Sequence, residues 1–117
     1  KLVDFDDAPF AVMGLEPTVP LILDRLVRGG ALTPTRFVEV LSVNPAAILG
    51  IKKGTLKVGS DADVTLIDPD LERRVDVAQF QSKSRNSPFH GLALRGWPVA
   101  TLVGGRVVHE LQPAAIR

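Results

Sequence analysis

The chain has 117 residues with 14 Lys+Arg against 13 Asp+Glu, a formal net charge of +1, which lacks the electrostatic footprint of a protein that works on phosphate backbones; nucleic acid is not an expected partner. The lack of cysteine removes disulfides, a thiolate nucleophile and sulfur-ligated zinc, and agrees with a reducing, cytoplasmic compartment. Apolar runs reach about half of the roughly 20 residues that cross a bilayer, so a soluble chain without membrane contact is expected.

The length suggests one domain at most, and the 45% hydrophobic content is enough for a core if the chain folds alone. The chain opens on Lys1 with no signal-peptide pattern, and reads as a piece whose front is missing. Glu16 to Arg28 predicts the first helix, with Thr18 as cap, Pro20 near the first turn, and Leu21, Ile22, Leu23, Leu26 and Val27 forming a wide apolar stripe. Gly29-Gly30 ends it. Thr33-Pro34 is a second cap and first-turn pair, and Phe37, Val38, Val40, Leu41 and Val43 predict a helix with its broad apolar face mostly buried. Asn44-Pro45 then restarts a short helix that runs through Ile48 and Leu49 to Gly50.

From Lys52 the texture changes to strands. Lys53 to Ser60 is a turn-rich connector, and Asp63 to Asp68 is a short β-branched strand closed by Pro69-Asp70. A further run alternates around Val75-Asp76-Val77. Val99 to Val103, Gly104-Gly105 and Arg106 to His109 predict a hairpin, because paired glycines supply the positive φ of a tight turn. Helices first and four or five short strands later give an α+β order with unpaired sheet edges, from which missing strands are inferred.

The candidate chemistry is sparse. His90 and His109 lack the i,i+4 spacing of a metal pair, and Asp4, Asp6 and Asp7 read as a solvated acidic surface because no calcium-loop glycine and distal glutamate follow. Neither glycine pair has a phosphate-binding pattern. Ser82-Lys83-Ser84-Arg85-Asn86-Ser87-Pro88-Phe89 gathers hydrogen-bonding groups and two cations before an aromatic, and from chemistry alone reads as a surface loop. The residues by themselves lead to an α+β piece without a complete active site.

Several stretches carry a resemblance. Ala8-Pro9-Phe10-Ala11-Val12-Met13-Gly14-Leu15-Glu16, Ser42-Val43-Asn44-Pro45-Ala46, Gly54 to Asp63, Lys83 to Phe89 and Val103 to Val108 follow one another as in the C-terminal third of a bacterial dihydroorotase of the long, class I type, in the amidohydrolase superfamily. GxLxxGxDADxxLxD and VxGxxV mark the superfamily, whereas APFxxxGLE and KSxNSPF narrow the resemblance to dihydroorotase. It implies an α/β fold: residues 1–51 as the last helices of a (β/α)8 barrel and 52–117 as the C-terminal strands of a small composite β-sandwich domain. It also implies zinc-dependent interconversion of N-carbamoyl-L-aspartate and L-dihydroorotate in pyrimidine biosynthesis. The zinc ligands and the proton-shuttling aspartate are expected upstream of Lys1, which is expected to mark a break in an exposed loop.

The resemblance places backbone groups of Phe10 and Ala11 against the substrate. Ala11 stands where glycine is usual, a replacement expected to restrict positive φ. Pro17 stands where threonine is usual. The implied partners are the remainder of the same polypeptide, the small-molecule substrate and a second copy in a homodimer. Two alternatives remain open: a hydantoinase-type enzyme, and a non-catalytic subunit that supports aspartate carbamoyltransferase.

Overall fold

The computed structural model describes residues 11–111. Helix α1 (Thr18–Ile22) passes directly into a π-helical turn, Leu23–Val27, in which the widened pattern shows as the Arg28 amide donating to the Leu23 carbonyl at 2.9 Å. This matches the helix expected over Glu16 to Arg28, but Thr18 is not its cap. Pro17 holds that position, and the Thr18 hydroxyl instead donates back to the Gly14 carbonyl at 2.5 Å. Gly30, at φ +78°, turns the chain out of the helix as the glycine pair predicts.

Helix α2 (Pro34–Val38) starts where expected, with the Thr33 hydroxyl accepting the Arg36 amide at 3.1 Å. The expected restart at Asn44 does not occur. A π turn, Glu39–Val43, carries the helix straight into α3 (Asn44–Leu49), and Asn44 is itself helical at φ −65°, ψ −45°. Pro45 lacks an N–H and crowds the carbonyl four residues back, and the wider π turn before it accommodates the ring without a break. Gly50, at φ +66°, ends α3 in the left-handed conformation.

Three antiparallel strands follow among the described residues, β1 (Val64–Arg74), β2 (Ala93–Val103) and β3 (Arg106–Glu110), in the order β1-β2-β3, where four or five were expected. Pro69-Asp70 does not close β1. The pairs Asp68↔Trp97 and Glu72↔Arg95 leave three β1 residues opposite Gly96, and the Asp68 carboxylate accepts the amides of Asp70 and Leu71 at 2.9 and 3.1 Å. A bulge tolerates proline because its missing N–H is not needed by the ladder. Val75 is buried outside any strand, exchanging backbone bonds with Leu92 and Gly91, and Val77–Gln79 is a 3-10 turn capped by Asp76. The hairpin is as predicted, with Gly104 and Gly105 both at positive φ.

The core sits where α1 lies on β2. Gly96 is at φ +95°, and a methyl group there would meet Leu23 Cβ at 2.8 Å, so the helix approaches the strand backbone directly. Asp24 accepts the Arg95 amide, and Arg28 reaches Pro69 and Asp70, fastening the helix to both strands. Leu94, Val75, Pro17 and Pro20 are fully buried. On α2 and its π turn, Phe37 is buried but Val38, Val40 and Val43 are 51%, 41% and 41% exposed, which corrects the expectation of a mostly buried face. A groove of about 540 Å³ between this helix and β1 is lined by Phe37, Leu41, Leu56, Val64 and Ile67. Among the described residues no helix is long and apolar enough to cross a membrane.

Candidate functional site

Two pairs of distant segments are docked on each other, and they coincide with the motifs. In the first pair, Lys53 donates to Asp61 at 2.7 Å and to Asp63 at 2.5 Å, while the other Asp63 oxygen accepts the Gly104 amide at 2.8 Å. The Gly105 amide donates to the Ala62 carbonyl at 2.9 Å, so the Asp-Ala-Asp turn holds the hairpin tip from below. The hydrogen bond to Asp61, reinforced by Asp63, raises the Lys53 pKa, and the bonds from Lys53 and Gly104 hold the Asp63 carboxyl below the usual carboxylate range. Both carboxylates are spent on structure.

The second pair joins residues 11–16 to residues 81–89. Ala11 sits at φ +57°, the left-handed region that disfavours a side chain, and its carbonyl accepts the Asn86 side-chain amide at 2.6 Å. The Met13 amide donates to the Asn86 carbonyl at 2.7 Å, and the Ser87 hydroxyl donates to the Met13 carbonyl at 2.7 Å. A methyl group on Gly14 would lie 3.7 Å from the Phe89 ring. Glu16 closes the arrangement: its carboxylate accepts the Gln81 amide, the Ser82 amide and the Ser82 hydroxyl at 3.0, 3.0 and 2.6 Å. The expected surface loop at Ser82 to Phe89 is therefore a clamp on the loop that leads into α1.

Of the two expected substrate residues, Ala11 lies in this clamp and is exposed, and Phe10 lies outside the described residues. Asp4, Asp6 and Asp7 lie outside them too. His90 accepts the Val77 amide at Nδ1, 3.2 Å away, and His109 is exposed on β3 opposite Thr101. Among the described residues no three His, Cys, Asp or Glu side chains converge, and Glu16, Asp61 and Asp63 are committed to other partners. This donor set does not fit a zinc centre. The sequence pattern marks Glu16, Asn86 and Ser87 as motif residues but assigns none of them a role. Their signal was a carboxylate and two short polar side chains inside motifs whose partners lie 65, 75 and 74 positions away.

The sequence pattern of the Amidohydrolase family matches residues 8–108. The chain is 54% identical over 110 residues to a dihydroorotase of Pelotomaculum thermopropionicum, covering 94% of this chain and 26% of that protein. It is 48% identical over 108 residues to a dihydroorotase of Acetivibrio thermocellus, covering 92% and 25%. Among solved structures, an L-hydantoinase (dihydropyrimidinase) from Arthrobacter aurescens superposes with a TM-score of 0.84 at 43% identity, over 92% of this chain and 24% of that one. The chain thus spans about a quarter of the length of the relatives it matches.

Proposed function

This chain belongs to the amidohydrolase family, and from that premise we propose that it is the C-terminal quarter of a dihydroorotase, which interconverts N-carbamoyl-L-aspartate and L-dihydroorotate. The observation that carries the reading is the 54% identity over 110 of 117 residues, a span that takes in both halves of the Ala11 to Glu16 clamp. In this reading residues 1–51 end the barrel domain and 52–117 complete the sandwich domain. The backbone of Phe10 and Ala11 faces the dihydroorotate ring at the barrel mouth. The part of this chain is to bind and orient: it offers main-chain hydrogen-bonding groups from a loop whose shape the clamp fixes. Zinc belongs to the reaction of the whole enzyme, and none of the described residues is assigned to it.

The test is a chimera in which these residues replace the matching stretch of the Pelotomaculum thermopropionicum dihydroorotase. Dihydroorotate hydrolysis near the parent's rate, with hydantoin turned over far more slowly, is the expected result. The reverse preference favours the hydantoinase reading, which the 0.84 TM-score to the Arthrobacter aurescens enzyme keeps in view. Activity on neither compound, with stable association to aspartate carbamoyltransferase in gel filtration, favours the assembly-subunit reading. The 117-residue chain alone is expected to be inactive on both compounds.

A further inference from the structure

The Asn86 side chain does something that the rest of the clamp does not: it engages the one described non-glycine residue at positive φ. A left-handed conformation costs a residue with a Cβ about 1–2 kcal/mol, so Ala11 left to itself turns back to negative φ and carries its peptide groups with it. The 2.6 Å bond from Asn86 Nδ2 to the Ala11 carbonyl opposes that turn, and the Met13 bonds to Asn86 and Ser87 prevent the next peptide from following. The reach spans 75 positions, from the segment before β2 to the segment before α1. Asn86 is itself seated, since its amide donates to the Ser84 hydroxyl at 3.2 Å.

We propose that Asn86 is a positioning residue for substrate: it holds the Ala11 peptide in the orientation that presents the loop's backbone to the ring. The inference rests on the dihydroorotase reading above. It makes Asn86 a determinant of affinity rather than of the chemical step, because the side chain acts through Ala11 and not on the reacting atoms.

The experiment is a cycle of Asn86→Ala and Ala11→Gly in the chimera, read by steady-state kinetics on dihydroorotate. Asn86→Ala is expected to raise KM about tenfold, the upper end of what one net hydrogen bond contributes, with kcat within about twofold of the parent. Asn86→Asp, which sets a carboxylate against the Ala11 carbonyl, is expected to be at least as severe. In the Ala11→Gly background the penalty of Asn86→Ala is expected to shrink to about threefold or less, since glycine holds positive φ unaided. A role in general stability alone would lower the melting temperature equally in both backgrounds and leave KM unchanged. An unchanged KM, or an equal KM penalty in both backgrounds, overturns the inference while the parent chimera remains active. An inactive parent chimera overturns the assignment of the reaction and this inference with it.

Discussion

Glu16 carries two opposing effects. Burial pushes its carboxyl up, but hydrogen bonds from the Ser82 hydroxyl, the Ser82 amide and the Gln81 amide, together with the Arg85 charge, outweigh burial and hold it below the ordinary glutamate value. A lowered carboxyl contributes stability that is present above the ordinary glutamate range and is lost as pH falls through the lowered value. Glu16→Gln is therefore expected to cost about 1–3 kcal/mol at neutral pH, the scale of hydrogen bonds to a charged group. The gap from the parent should close as the solution is acidified, and urea midpoints of the chimera at several pH values would show it. A gap that stays constant with pH would sink the account. At Ala11 the expectation runs the other way: Ala11→Gly should stabilise by about 1 kcal/mol by removing the cost of the left-handed conformation, and Ala11→Val should destabilise.

Between elements, the π turn that follows α1 brings Leu23 directly onto Gly96 of β2. Gly96→Ala places a methyl group 2.8 Å from Leu23 Cβ at a residue whose φ is +95°, so the helix must lift or the strand must shift. A loss of about 2–4 kcal/mol is expected from overpacking and backbone strain together, and Leu23→Ala in a double variant should recover only the part due to Leu23 Cδ1, 2.9 Å from the added methyl, because alanine keeps the Cβ. If Gly96→Ala melts with the parent, the helix does not sit on the strand in this way. Thr33→Ala tests a purely local device. It removes the acceptor of the Arg36 amide and should cost about 1 kcal/mol, without altering the Asn86-dependent KM because α2 lies outside the clamp.

The described residues form an extended body for their number. Its radius of gyration is 16.3 Å, against about 13 Å for a compact chain of this size, and its extents are 53 × 40 × 31 Å. The buried hydrophobic core among the described residues is Phe37, Ala46, Val75 and Leu94, while Leu15, Ile48, Leu49 and Leu56 are 70–84% exposed. So small a core leaves little to hold the chain in one packed state by itself. The isolated 117-residue chain is expected to bind ANS and to lack a cooperative calorimetric transition, or to aggregate. A sharp melt at monomer mass would overturn that view and make the chain an autonomous module.

What was legible in the residues alone is what a few neighbouring residues settle among themselves. Thr33-Pro34 starts α2, Gly30 and Gly50 end helices, and Gly104-Gly105 turns the hairpin, because a cap or a positive φ is decided within about four positions. The motif residues marked the family by the same token, as a pattern along the chain. The sequence misled where a local preference met a distant partner: β1 runs through Pro69-Asp70 because β2 continues opposite it, and the helix continues through Asn44 because the π turn makes room for Pro45. The clamp lay beyond local reasoning altogether. Asn86 and Glu16 gain their roles from backbone groups 75 and 65 positions away, and no spacing rule links residues that meet only when one strand pair and one helix have packed. Hydrogen-bonding capacity is a property of the residue, but the choice of partner is a property of the fold.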